Sequence, residues 1–190
     1  MGMPGRSRPW TREEVLALPD DGNRYELIDG ELLVTPAPRL VHQRAVLALS
    51  VRLKPYVETH GLGSLVLAPA DLDFRRGYSA QPDLSVVPPV HGRPPLEWDE
   101  CGVPIFIAEI QSPSTARYDR TIKRPAYQRA GVEQYWIVDC DSRIVERWEP
   151  RDQRPEICST RAVWRPNPVV PPFELDLTGY FAEVWGEPTP

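Results

Sequence analysis

The chain has 190 residues, 41% of them hydrophobic and 26% charged, and a net charge of −5. That length suits one domain with its own core, and the acidic balance excludes a simple basic coat for nucleic acid, though not a local basic face. No apolar run reaches the roughly 18 residues of a membrane span, the opening MGMPGRSRPW has no apolar core of a leader, and three cysteines without CxxC spacing speak against a disulfide framework or zinc finger. These readings point to a cytoplasmic globular protein.

In chain order, residues 1–10 read as a flexible tail, and residues 11–190 as a single mixed α/β domain. Thr11 and Glu14 have the spacing of a capping box, which predicts a short helix to about Leu18. RYELIDGELLVTPAP predicts a hairpin that turns at Asp29-Gly30. Residues 40–59 carry the longest helical periodicity, with Pro55 expected to kink the last turn and Gly61 to end it. SLVLAPADLDF, QPDLSVVP and PIFIAEIQSP read as strands, with Asp71 and Asp73 facing solvent. Residues 88–103 form a Pro-rich loop with room for a helical turn. Ser114–Ala130 is a predicted helix capped by Gly131. EQYWIVDC and RIVERWEP make a second hairpin around Asp141-Ser142, with Tyr135, Trp136 and Trp148 as core. Strand fragments follow, then an amphipathic piece over Leu175–Trp185.

The chemistry concentrates in residues 81–124. Asp83 precedes LSVV and Glu109 follows IFIA, and a carboxylate beside such apolar runs is costly to bury without a partner. Either each acid sits at a strand end in water, or neighbouring strands bring them together. Two such oxygen ligands suit Mg²⁺, which takes one or two carboxylates, waters and phosphate oxygens. Lysine is rare: only Lys54 and Lys123 stand among 22 basic residues. Arg117, Arg120, Lys123 and Arg124 form a basic strip with a single acid, Asp119, and this strip reads either as a phosphate-binding face or as a solvated helix face. His42 either reaches the cleft as a phosphate donor or touches a local carbonyl near its helix start.

Pro82-Asp83 followed by Glu109-Ile110-Gln111 resembles the PD-(D/E)XK motif of restriction-endonuclease-like nucleases. YELIDGELLVTPAP, His42-Gln43, QPDLSVVP, AEIQSPST, YDRTIK and GVEQYWIVD, in this order, are similar to the Uma-type family of restriction endonucleases. The resemblance implies an α/β restriction-endonuclease-like fold, a central mixed β-sheet flanked by helices. It implies a Mg²⁺- or Mn²⁺-dependent hydrolase of DNA phosphodiester bonds, with a homodimer expected because twofold symmetry matches the two strands of a duplex. Asp83, Glu109 and the backbone carbonyl of Ile110 are then the metal ligands, with Glu26 approaching the same ion. Gln111 stands where the superfamily has lysine, so Lys123 is the implied source of the missing charge. Each position also has an ordinary reading: Glu26 as a surface partner of Arg24 or Arg44, Lys123 as a helix-surface partner of Asp119 four residues earlier, and Gln111 as a strand-end amide. Pro125 disfavours an αR conformation at Arg124 and predicts a kink that leaves the aim of Lys123 open. The competing functional reading is a catalytically silent nuclease-like domain that serves in nucleic-acid binding or assembly.

Overall fold

Three short apolar runs form the middle of one sheet: β4 (Leu84–Val87), β5 (Phe106–Ile110) and β6 (Gln134–Asp139), every residue of which is buried. Strands covered on both faces need such nearly continuous apolar sequence. The computed structural model describes residues 8–72, 79–112 and 115–188. With β3 (Ser64–Leu67), β7 (Ile144–Trp148) and β8 (Glu156–Cys158), the sheet has six strands in the order β3-β4-β5-β6-β7-β8. It is mixed: β5 and β6 are parallel and the other neighbours antiparallel.

Period-2 alternation divides the two faces. Leu84, Val86, Phe106, Ala108, Trp136 and Val138 pack on one side under α2 (Leu40–Thr59) and the C-terminal helix α5 (Leu177–Trp185). Ile107, Tyr135 and Ile137 pack on the other with Ile28, Leu33, Ala126 and Tyr127. Burial of each large side chain here stabilises the fold by about 1.5–3 kcal/mol. The second layer comes from the hairpin β1 (Arg24–Ile28) and β2 (Glu31–Thr35) and from the helical crossover between β5 and β6. A second hairpin pairs β9 (Arg161–Trp164) with β10 (Phe173–Asp176).

Several expectations hold at the level of single bonds. Thr11 and Glu14 close a reciprocal capping box on α1 (Arg12–Leu16). Asp29 and Gly30 both take positive φ at the first hairpin turn, the conformation a two-residue loop requires. Of the predicted tail, residues 1–7 lie outside the described residues, while Trp10 donates to the Gly30 carbonyl at 2.9 Å and fixes the end of the tail on the hairpin. Among the described residues no helix is long and apolar enough to cross a membrane.

The structure departs from expectation at prolines. Helix α2 continues through Pro55 to Thr59, with Leu53 before the proline and Val57 after it fully buried. The strand expected over 64–74 ends at Leu67, because Pro69 has no N–H for the next rung; Asp73 lies outside the described residues. Ser114 also lies outside them, and the crossover helix is described from α3 (Ala116–Tyr118) onward. It is not interrupted at Pro125. A single π-helical turn, Asp119–Lys123, carries the chain from α3 into α4 (Arg124–Ala130), with the Arg124 N–H bonded to the Asp119 carbonyl five residues back. Arg124 stays αR, and Pro125 sits in the first turn of α4, where a missing N–H costs least. The final amphipathic piece divides at Asp176, whose side chain accepts from Thr178 and Gly179 and starts α5.

Candidate active site

Strand pairing assembles the acids. Leu84 pairs with Ala108 across β4 and β5, so the next step of that register sets Asp83 opposite Glu109. Asp83 is 3% exposed and Glu109 2%, and both line one cleft of about 780 Å³. In β1, alternation puts Arg24 and Glu26 on the same face as Ile28, against the sheet. Glu26 is fully buried and its Oε1 accepts from the Gln81 backbone at 2.9 Å, which ties the hairpin to the segment that leads into Asp83. Arg24 Nη1 donates to Asp83 Oδ1 at 2.8 Å.

The π turn delivers Lys123 into this cluster. Its Nζ stands 2.8 Å from Glu26 Oε2 and 2.9 Å from Glu109 Oε1, with the side chain 2% exposed. Tyr127, four residues on and therefore on the same helix face, donates to Glu109 Oε1 at 3.1 Å. Asp83 Oδ2 takes two partners: the Ile110 backbone N–H at 2.8 Å and His42 Nε2 at 3.0 Å. His42 thus reaches the cleft across the sheet end rather than a carbonyl of its own helix.

The charges are unequal. Glu26, Asp83, Glu109 and Asp119 stand against two permanent cations, Arg24 and Lys123. Burial and the neighbouring Asp83, Glu26 and Asp119 charges push Glu109 up to about 8, against the pull of Lys123. Burial likewise raises Asp119 to about 6, against the pull of the Lys123 charge and of a hydrogen bond from Thr115. Burial alone would raise Asp83 too, but the His42 hydrogen bond and the Arg24 charge outweigh it and hold the group below the usual carboxylate range. Burial opposes the charge on Lys123, and Glu109, Glu26 and Asp119 together overcome it, so the ammonium stays protonated well past its ordinary value.

A pH dependence follows with a definite sign. Glu109 and Asp119 bind protons more tightly folded than unfolded, so between their ordinary values of 4.5 and 3.8 and their raised values near 8 and 6 the folded state holds the extra protons. Stability falls with rising pH wherever the folded state holds more. The urea midpoint of the metal-free protein should therefore decline from about pH 5 to 8. Asp83, with its lowered value, contributes stability that is already complete above 3.8 and adds no slope in this window. A midpoint that is flat or rises over the same range contradicts this account.

The remaining expected site residues are placed differently. Ile110 lines the cleft. Gln111 turns its Nε2 to Asp139 Oδ2 at 3.1 Å and leaves Oε1 buried without a partner. Arg117 is exposed, but Arg120 is tied to Glu146 at 2.8 Å and Arg124 lies over the Trp148 ring at 4.6 Å. The basic strip is thus partly spent inside the fold, and Arg120 and Arg124 are not among the residues that line the cleft. Arg44, the other partner considered for Glu26, donates instead to the Glu183 carbonyl.

Three residues join the cluster that the sequence reading did not assign to it. Arg24 lies two residues before Glu26, and that strand spacing was the available signal. Tyr127 stands one turn beyond Lys123, also a readable relation. Asp119 was read as a surface partner of Lys123, yet both side chains are buried, and nothing in the local sequence distinguishes the two cases.

Comparison with known proteins agrees with this architecture. The family model "Uma2: Putative restriction endonuclease" matches residues 12–178. A crystal structure from Anabaena variabilis ATCC 29413, described as a "putative nuclease belonging to DUF820", superposes with a TM-score of 0.68, covering 93% of this chain and 99% of that one at 21% identity. At that identity the likeness establishes the fold. None of the curated proteins compared with the chain matches it.

Proposed function

The chain belongs to the Uma2 family, and from that membership we propose that it is a metal-dependent endonuclease that hydrolyses DNA phosphodiester bonds. The observation that carries this reading is the convergence of Glu26, Asp83, Glu109 and Lys123 in one buried cluster, of which Asp83 and Glu109 line a cleft.

The residues present fit Mg²⁺ or Mn²⁺. Their donors are hard carboxylate oxygens, and four acids against two cations leave an excess of two negative charges when all are ionised. Glu26 Oε2 is buried, with the Lys123 ammonium at 2.8 Å and Arg24 Nε at 3.7 Å. Among the described residues no three His, Cys, Asp or Glu side chains form a ready cage. Mg²⁺ bound here would complete its shell with waters and phosphate oxygens. Asp83 and Glu109 would hold the ion, with the Ile110 carbonyl as a further donor and Glu26 beside them. Such an ion supplies a more acidic water and neutralises charge on the phosphate.

The chain's own groups do the rest. Asp83 remains ionised throughout the physiological range and is oriented by three donors. Lys123 stays charged and stabilises negative charge that develops on the phosphoryl oxygens, a contribution worth about 2.7–4 kcal/mol where such donors have been removed elsewhere. Gln111, anchored on Asp139, is available to orient a water but carries no charge. His42 holds Asp83 from the side opposite Arg24. A homodimer would address the two strands of a duplex with two such sites.

Cleavage of supercoiled plasmid tests the proposal. Nicked or linear product should form with Mg²⁺ or Mn²⁺ and vanish with a chelator, and either ion should raise the melting temperature by mass action. A protein that leaves plasmid, linear and single-stranded DNA uncut with either ion, and whose melting temperature ignores both, is the silent domain of the competing reading.

A further inference from the structure

The two cations of the site differ in how they are held. Lys123 is sealed between two carboxylates. Arg24 lines the cleft, its side chain is 20% exposed, and it spends few of its five N–H donors. Nη1 serves both Asp83 Oδ1 at 2.8 Å and the Gln81 carbonyl at 3.1 Å. Nε is buried without a hydrogen bond, 3.7 Å from Glu26 Oε2. The fork therefore keeps donors in reserve beside the cleft.

The position of this guanidinium also matters. Asp83 Oδ2 already accepts from both Ile110 and His42, which fills its two lone pairs. Oδ1 is therefore the oxygen left to ligate a cation, and its single partner among the described residues is Arg24. A divalent ion on Oδ1 would sit within a few ångströms of the guanidinium, and like charges that close repel strongly. Both cannot keep their places.

Resting on the endonuclease reading above, we propose that Arg24 is the resting counter-ion of Asp83, displaced when a divalent ion binds and then free to hold a phosphate oxygen of the nucleic acid in the cleft. The unspent fork suits that second task, since a planar guanidinium matches phosphate bidentately. The residue stands at the first position of β1, directly after the turn at Gly22-Asn23, so a change of its side-chain rotamer needs no change in the sheet. Arg24 is on this account a positioning residue toward the metal and a contact toward substrate.

Opposite signs in two measurements test it. In Arg24→Gln, which keeps a hydrogen-bonding side chain, Mn²⁺ titrated calorimetrically should bind at least about fivefold tighter than in wild type, because a competing cation is gone. The same variant should bind a fluorescent DNA duplex in Ca²⁺ at least about threefold more weakly, while Arg24→Lys stays between it and wild type in both assays. Metal-free Arg24→Gln should melt below wild type, and saturating Mn²⁺ should recover more of the melting temperature in the variant. Mn²⁺ affinity that is unchanged or weaker in Arg24→Gln overturns the counter-ion role, and unchanged duplex affinity overturns the phosphate contact. Both results leave the endonuclease reading intact as long as wild type binds Mn²⁺. A wild type that takes up no Mn²⁺ overturns the two together.

Discussion

Lys123→Met should lower the melting temperature of the metal-free protein by on the order of 10 °C and abolish DNA cleavage. The methionine nearly matches the lysine in volume, so the effect is electrostatic. It leaves Glu26 and Glu109 facing each other in a pocket where both are at most 2% exposed, with no cation between them. Removing one partner of a buried ion pair costs about 3–5 kcal/mol, and a chain of this size shifts by roughly 2–4 °C for each kcal/mol. Thermal unfolding of the variant checks the first half and plasmid cleavage the second. Adding Glu26→Gln in the same chain should return part of the stability and none of the activity, since it removes an unpaired charge without restoring the ammonium. Lys123→Arg should keep neither fully, because a longer planar group must displace the carboxylates that enclose this 2% exposed side chain. If Lys123→Met melts with wild type, the ion-pair account of this core is wrong.

Asp83→Asn should remove measurable Mn²⁺ binding and reduce cleavage by about 10³-fold or more, the loss of several kcal/mol of metal-derived stabilisation. The substitution preserves volume, yet it disturbs more than charge. Asp83 accepts from Ile110, His42 and Arg24, whereas an asparagine must turn an NH₂ group toward at least one of those donors. Some loss of stability should therefore accompany the loss of metal. Calorimetry with Mn²⁺ on both proteins decides: equal affinity would give Asp83 a structural role alone.

The sequence carried the acids and the lysine because they belong to motifs with local order. Glu26 sits in a hairpin whose turn residues announce it, and Asp83 and Glu109 flank apolar runs that must be central strands. It could not say how far the basic strip remains available. Whether Arg120 and Arg124 face outward depends on Glu146 and Trp148, which β7 brings alongside from more than twenty positions later. The course of the chain at Pro125 was equally hidden. The rule that a residue before proline avoids αR is sound for an α-helix, but a wider turn just upstream relieves the clash and spares the missing donor.

That wider turn sets the phase of everything after it. An α-helix advances about 100° per residue, so one residue more or fewer between Ala116 and Lys123 swings the ammonium around the helix axis and away from both glutamates. Gln111 holds the strand position, and the place of Lys123 in the cluster is set by an angle rather than by a spacing along the chain. An insertion or deletion within the helical stretch 116–123 should consequently part Lys123 from both glutamates.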